Sequence, residues 1–191
     1  MHEPVHSLCP NDTVKLPTHN ANMKHRLLFS VALVLNSVLL CSGAEVRGTV
    51  LNYGIFKKDM PEQVVRTPGT SSGVTRVGIG PREIITQTNR IPAKIGSCFG
   101  LTFEVSNLAT TNGALIDIVK VVTHPPMTRP DGTVSKGFTF VEKAVVENGR
   151  ATNWSGYGFD HPYELVPGLW LFEMRFEGKA LVKQQFTVVR E

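Results

Sequence analysis

The segment around His161 carries the residue types in this sequence that are best suited to chemistry. Asp160, His161 and Glu164 stand close together, and all three side chains are of types that bind metal ions. An Asp before His-Pro is also typical of a turn in which the carboxylate bonds its own backbone. The turn is the simpler interpretation, and a metal site at Asp160, His161 and Glu164 is kept as an alternative.

A group of aromatic residues overlaps this segment. Trp154, Tyr157, Phe159 and Tyr163 are interleaved with small residues. Flat aromatic rings on a protein surface could stack on sugar rings, but aromatic residues at such positions usually fill the core. The pattern therefore gives an alternative binding site, a glycan-binding surface at Trp154, Tyr157 and Tyr163.

No catalytic constellation is expected. We predict no nucleophile elbow, and after Ala44 the sequence has no H-E-x-x-H, phosphate-loop or paired-cysteine motif. After Ala44, only His124 and His161 could serve a histidine-dependent site. His124 precedes two prolines and is predicted to be structural, and Cys98 is predicted to be a buried small hydrophobe. The sequence therefore predicts a protein that is not an enzyme and uses no cofactor.

An N-terminal segment has the three parts of a secretory signal. Residues 23–26 are basic, residues 27–40 are almost wholly apolar, and residues 42–44 supply the small side chains that a signal peptidase reads. The apolar run has 14 residues, whereas a membrane span needs about 20. We predict a cleaved signal helix at residues 23–44, preceded by a disordered or incorrectly assigned extension at residues 1–22.

These features also predict a location. Leu39-Leu40-Cys41 resembles a lipoprotein box, but the residue before the lipidated cysteine should be small, and here it is Leu40. Cleavage after Ala44 is preferred because its flanking side chains fit a small pocket. The sequence predicts a periplasmic or secreted protein that is not lipidated at Cys41 and has no membrane span after signal removal.

The remaining chain, residues 45–191, has the size and charge of one ordinary domain. Without residues 1–44 it has 147 residues, with 17 basic and 14 acidic side chains. The basic residues are scattered, whereas a nucleic-acid-binding face would cluster them among stacking aromatics. The apolar fraction of the full 191-residue sequence, 41%, is too high for a disordered chain. We predict one folded domain that does not bind nucleic acid.

Apolar residues with a period of two indicate strands throughout this domain. They occupy every second position from Phe99 to Val105, which predicts a strand over residues 98–105 with one face on a core. Residues 115–123 are almost continuously apolar, so their inward face cannot be assigned, and His124-Pro125-Pro126 is expected to end that strand. Further strands are predicted at residues 46–56, 84–89, 138–146 and 151–158.

Residues 57–80 interrupt this pattern. The segment has little apolar periodicity and is far longer than the usual connection of a few residues. Residues 62–66 could form one helical turn at most. We predict a long loop here that is either functional or mobile.

The last two strands predict their own register. Two apolar sets each share one face of a strand: Trp170, Phe172, Met174 and Phe176, then Val182, Phe186 and Val188. A three-residue loop at residues 177–179 would place Trp170 opposite Phe186 and Met174 opposite Val182, bringing both sets to the same side. A two-residue loop would mismatch the sets, so we predict the longer turn.

Seven or eight short strands without a helical crossover indicate two packed antiparallel sheets. Residues 165–170 are similar to the corner that leads into the penultimate strand of immunoglobulin-like sandwiches, with Trp170 where a Tyr is usual. Because an indole has no hydroxyl to bond back to the corner, Trp170 is expected to fill the core instead. The predicted fold class is all-β, an immunoglobulin-like antiparallel β-sandwich of 7–8 strands after the signal helix.

Several runs of sequence resemble a known family. IPAKIGSCFGLTFEV (residues 91–105), HPPM (residues 124–127) and YELVPGLWLFEM followed by FTVV (from residue 163 on) are together similar to the bacterial exported domain-of-unknown-function family 3859. The similarity spans most of residues 45–191, and its motifs are apolar strands and turns. The resemblance therefore implies a fold and a bacterial exported protein, and it carries over no catalytic residue.

These observations together predict a non-enzymatic, exported binding module. Pairing at an edge strand, or the loop at residues 57–80, would supply contact with another protein or a cell-envelope component. The alternative is a glycan-binding module that uses Trp154, Tyr157 and Tyr163. An enzyme or a metal-binding protein is the remaining alternative.

Overall fold

The computed structural model describes residues 43–57, 62–67, 69–78 and 82–190. The predicted extension at residues 1–22 and the predicted signal peptide up to residue 42 lie outside this part of the chain. The described residues form a 3-10 turn, Pro162–Glu164, and eleven strands, and none of them forms a helix long and apolar enough to cross a bilayer. The strands are β1 (Arg47–Phe56), β2 (Glu62–Arg66), β3 (Val74–Gly78), β4 (Ile84–Thr86), β5 (Arg90–Pro92), β6 (Cys98–Ser106), β7 (Leu115–Thr128), β8 (Val134–Val145), β9 (Ala151–Gly158), β10 (Gly168–Phe176) and β11 (Lys179–Val189).

The strands form two main sheets and a separate hairpin. One sheet has the order β4-β1-β6-β9 and the other has the order β5-β11-β10-β7-β8, while β2 pairs with β3. The pairs are antiparallel except for β5 with β11, which is parallel. The predicted all-β sandwich is therefore confirmed. The count of seven or eight strands was too low, because β5 and the β2–β3 hairpin gave no apolar period in the sequence.

The apolar face of β6 lies at the centre of the core. Phe99 and Leu101 are fully buried, as their spacing predicts. Cys98, at the start of the strand, is half-buried rather than fully buried. The Phe99 ring makes edge-to-face contacts, at centroid distances of 5.3 to 5.8 Å, with three rings of the opposite sheet: Phe186, Trp170 and Phe172. These aromatic contacts join the two sheets.

The β10–β11 hairpin has the predicted side-chain pairing but a different turn. Trp170 lies opposite Phe186 and Met174 lies opposite Val182, which confirms the predicted register. The turn has two residues with positive φ angles, 48° and 79°, and the second is Gly178. A register shift next to Met174 adds the residue that the pairing needs. The predicted three-residue loop was therefore wrong, because a two-residue turn combined with a bulge gives the same side-chain pairing.

Trp170 both fills the core and bonds back to its corner. The side chain is fully buried, as expected. Its indole Nε1 also donates a hydrogen bond of 3.2 Å to the backbone oxygen of Val166, four residues upstream. The expectation of no such bond was wrong, because the indole N–H takes the place of the usual hydroxyl.

Residues 57–80 contain a hairpin where a long loop was predicted. The helical turn considered for residues 62–66 was also wrong, because these residues form β2 and pair with β3. Val64 and Val65 are 53% and 41% exposed, so two successive side chains of this strand face solvent. With no buried face, the strand leaves no period of two in the sequence.

β7 continues through the two prolines that were expected to end it. Its register with β8 shifts between Thr123 and Met127, and pairing resumes with Met127 opposite Ser135. The prolines lie in this irregular stretch, where the ladder does not need their missing N–H groups.

Candidate functional site

β7 places two polar side chains on the inner face of its sheet. Ile118, Lys120, Val122 and His124 alternate along the strand, and all four are buried. Burying a lysine and a histidine is costly unless their polar atoms find partners. Lys120 and His124 each bond to different neighbouring elements.

The Lys120 ammonium links β7 to the edge strands of both sheets. Its Nζ donates to the Glu142 carboxylate on β8 and to the backbone oxygen of Trp154 on β9, with a longer contact of 3.4 Å to Asn153 Oδ1. Lys120 is 1% exposed, and this burial lowers its pKa, while the Glu142 carboxylate opposes the shift. The ion pair therefore stays within one sheet, and the hydrogen bond to the Trp154 backbone joins that sheet to the other.

A cavity of about 450 Å³ lies beside this ion pair. Its walls include the rings of Phe56, Phe140 and Trp154, and the Arg82 guanidinium lies 4.2 Å from the centre of the Trp154 ring. The β2–β3 hairpin contributes further lining residues. Ser155 also faces the cavity and is 3% exposed. A cavity of this size and apolar character is typical of a ligand site.

His124 holds the turn of the β2–β3 hairpin. Its Nδ1 lies 2.7 Å from the backbone oxygen of Pro125, a pure acceptor, so Nδ1 carries the proton. Nε2 then accepts a hydrogen bond of 2.7 Å from the Ser71 hydroxyl, which also lies 2.9 Å from Ser135 Oγ. Arg129 donates to the backbone oxygen of Ser71 at 2.8 Å. Burial lowers the pKa of His124 and favours this neutral form.

The contact between Ser71 and His124 has the spacing of a nucleophile and its base. Residues 69–73 also fit G-x-S-x-G, so the prediction that this motif is absent was wrong. In hydrolases that serine is exposed between a strand and a helix. Here it is fully buried between two strands, and the second nitrogen of His124 meets a carbonyl rather than a carboxylate. The pair is closed to substrate and anchors the hairpin, in line with a structural His124.

The predicted metal ligands lie in a closed turn. The Glu164 carboxylate is fully buried and accepts hydrogen bonds from the Tyr157 hydroxyl and from the backbone N–H groups of Asp160 and His161, at 2.6 to 2.9 Å. The described residues contain no group of three or more His, Cys, Asp or Glu placed to hold a metal ion. The H-E-x-x-H spacing at residues 2–6 lies outside them. The metal site stays a prediction that these contacts do not support.

The predicted glycan-binding residues do not form one platform. Trp154 and Tyr157 line the cavity, whereas Tyr163 stacks on His161 with the two rings 9° from parallel. Tyr157 is buried, and this burial raises its pKa. Phe159 is fully buried in the core. A ligand that contacts both Trp154 and Tyr157 has to enter the cavity.

Sequence reasoning missed Lys120, Glu142, Ser71 and Ser155 as site residues. One signal was available. Positions 118, 120, 122 and 124 share one face of the strand, and an apolar residue precedes both Lys120 and His124 on that face. Their partners gave no local signal, because Glu142 is 22 residues from Lys120 and Ser71 is 53 residues from His124. Only the fold brings these pairs together.

Two packed sheets around an aromatic core define an immunoglobulin-like β-sandwich. A solved immunoglobulin-like protein from Pseudomonas aeruginosa is similar in structure, with a TM-score of 0.54 and 26% sequence identity over 78% of this chain and 99% of that chain. Residues 45–188 match the model of the family described as domain of unknown function (DUF3859). The chain belongs to this family, which confirms the resemblance found in the sequence.

Other similarities are weaker. An alkylpurine DNA glycosylase from Pseudomonas fluorescens shares 15% identity at a TM-score of 0.36, covering 52% of this chain and 27% of that chain. A β-glucosidase from Listeria innocua shares 13% identity at a TM-score of 0.38, covering 56% of this chain and 15% of that chain. Neither similarity bears on the function of this chain. No protein with a curated description matches it.

Proposed function

We propose that this protein is an exported, non-enzymatic binding module that holds an extended segment of another protein, free or part of the cell envelope, along the open edge of β8. The observation that carries the proposal is the length of this edge. β8 has 12 residues and pairs with β7 on one side, and no strand among the described residues pairs with its other side. Such an edge presents unpaired N–H and C=O groups that can template a further strand.

The side chains near this edge support the proposal. Of the other edge strands of the two main sheets, β4 and β5 have three residues each and β9 has eight, so β8 offers the longest edge. On the outer face of β8, Val141 and Val145 are 58% and 49% exposed, and Leu115 beside Val145 is 61% exposed. An apolar strip next to an open ladder favours contact with another chain.

The start of the domain supports export by cleavage after Ala44. Asn107 Nδ2 donates a hydrogen bond of 2.9 Å to the backbone oxygen of Glu45, and the Glu45 carboxylate pairs with Lys179. A chain that begins at Glu45 keeps both contacts. We expect N-terminal sequencing of protein from the envelope or medium to start at Glu45, and a start before residue 40 would contradict the proposal.

A photo-reactive amino acid placed at Val141 tests the binding surface. Leu169 on β10 is the matched control, because it is 55% exposed but lies on a strand paired on both sides. In cells that export the protein, we expect a protein adduct from position 141 and none from position 169. Binding of the captured partner should then protect the amides of β8 from hydrogen exchange. No adduct, equal adducts at both positions, or protection elsewhere would refute the proposal.

Glycan binding is the alternative, favoured by the position of Trp154 and Tyr157 in one cavity. Envelope polysaccharides can be titrated while Trp fluorescence is followed in the wild type and in Trp154→Ala. Equal responses in the two proteins would count against glycan binding. Turnover by the purified protein that is lost on replacing Asp160 or His161 would contradict the non-enzymatic role.

A further inference from the structure

Ser155, on β9, has a hydroxyl that is buried and finds no hydrogen-bond partner among the described residues. Buried polar groups are nearly always hydrogen-bonded, because an unmade bond costs free energy. Ser155 lines the cavity beside the Lys120–Glu142 pair. This hydroxyl therefore points to a hydrogen-bonding group on something that enters the cavity.

The charges that line the cavity indicate a neutral ligand. They are two cations and two anions: Lys120, Arg82, Glu142 and Asp160. The Lys120 ammonium is already bonded to Glu142 and to the Trp154 backbone. A ligand carboxylate would face the two acidic side chains, and a ligand ammonium would face the two basic ones. The lining charges sum to zero, so the cavity as a whole has no net charge to offset the hydration that a charged ligand would lose.

The walls and size of the cavity indicate a ring. Phe56, Phe140 and Trp154 present aromatic surfaces, which favour edge-to-face and offset contacts with another ring. The volume of about 450 Å³ exceeds what one benzene molecule needs. We propose that the cavity binds a neutral aromatic ring that bears a hydroxyl or N–H group, with Ser155 as the residue that bonds this group. The ring could be a free phenol or indole, or the tyrosine or tryptophan side chain of a protein segment.

This proposal goes beyond strand addition and does not require it. The ring site is formed by side chains of β1, β7, β8 and β9 and by the β2–β3 hairpin, whereas strand addition uses the backbone edge of β8; Val141 is common to both. Amide protection along β8 reports strand addition, and the preference for p-cresol reports the ring site, so either proposal can fail while the other holds.

Paired ligands that differ by one hydroxyl test the role of Ser155. Dissociation constants of p-cresol and toluene are measured from amide chemical shifts for the wild type, Ser155→Ala and Ser106→Ala. We expect the preference for p-cresol over toluene to fall about fivefold in Ser155→Ala, the value of one hydrogen bond, and to stay unchanged in Ser106→Ala. Ser106 is the matched control because its hydroxyl bonds the Arg47 backbone, away from the cavity lining. An unchanged preference in Ser155→Ala, or no saturable p-cresol binding, would overturn the proposal.

A second comparison needs the wild type alone. We expect 4-methylbenzoate and 4-methylbenzylamine to bind at least about tenfold more weakly than p-cresol, because each brings into the cavity a charge that the net-neutral lining does not balance. Equal binding by either would overturn the proposal. Competition by an extended peptide with a central tyrosine, but not by its phenylalanine counterpart, would assign the ring to a protein segment. If p-cresol binds and the tyrosine peptide does not compete with it, the ring belongs to a free small molecule.

Discussion

Replacing Glu142 with Gln removes the charge partner of a buried lysine while keeping the side-chain size. The Lys120 side chain is 2% exposed and that of Glu142 is 39% exposed. Breaking a buried pair by removing one partner typically costs about 3–5 kcal/mol. Because water already screens part of the Glu142 carboxylate, we expect Glu142→Gln to lower the free energy of unfolding by a smaller amount, about 2 kcal/mol.

Lys120→Met should cost less than Glu142→Gln. The substitution removes the free-energy cost of burying the ammonium, and apolar replacements of buried ions are often neutral or stabilising. It also leaves the Trp154 backbone oxygen without its donor, a loss of about 1–3 kcal/mol. These effects oppose each other, so the variant should stay within about 1 kcal/mol of the wild type. Adding Glu142→Gln to Lys120→Met should then change little.

Urea denaturation of the four proteins measures these differences, with unchanged m-values as the condition for comparison. The pH dependence gives a second check. Burial lowers the pKa of Lys120 below its unfolded value of about 10.4, so protonation favours the unfolded chain and stability falls as the pH drops below that value. The deficit of Glu142→Gln should therefore shrink as the pH rises toward about 10.4. The reasoning is refuted if Lys120→Met is the more damaging single change, or if the deficit grows with pH.

Three further predictions concern the hairpin anchor and the core. Because burial lowers the pKa of His124, protonation favours the unfolded chain, and urea midpoints should fall as the pH drops below about 6.5, less steeply in His124→Gln. Ser71→Ala removes the nearer of two hydroxyls at Nε2 of His124, since Ser135 Oγ lies 3.4 Å away, and should cost about 1 kcal/mol. Protease cleavage in residues 57–80 should become faster, and labelling of wild-type Ser71 by a fluorophosphonate would contradict its structural role. Gly100→Ala would put its Cβ 2.1 Å from the Ser155 backbone oxygen and should lower stability by about 3 kcal/mol in the same denaturation assay. Gly69→Ala, with open space around it, should leave the midpoint unchanged.

The sequence predicted most reliably those strands that have one buried face and one solvent-exposed face. The β6 alternation predicted its own core, because each inward residue is apolar and each outward one is small or polar. The pairing of Trp170 with Phe186 followed from matching two apolar faces. The turn did not follow, because a bulge changes the loop length without changing the pairing.

The candidate site could not be read in the same way. β7 is apolar on both faces, so no polar stripe marked the side of the sheet on which Lys120 lies. The β2–β3 hairpin is held by buried polar contacts at its turn rather than by an apolar face, and hydrogen bonds between distant residues leave no period in a sequence. Ser155 is recognisable only by what its hydroxyl does not contact among the described residues.

The inner face of β7 explains why the contacts of Lys120 and His124, which the sequence did not predict, belong to one site. Ile118 and Val122 pack in the core, whereas Lys120 and His124 on the same face bond outside their own strand. Lys120 holds β9 through the Trp154 backbone, and His124 holds the β2–β3 hairpin through Ser71. Because β9 and the hairpin supply two walls of the cavity, one strand sets the distance between them. Replacing Lys120 or His124 with an apolar residue would extend the apolar core but remove the hydrogen bond that holds one wall of the cavity. This gives a physical reason why one strand buries two polar side chains at a cost in free energy.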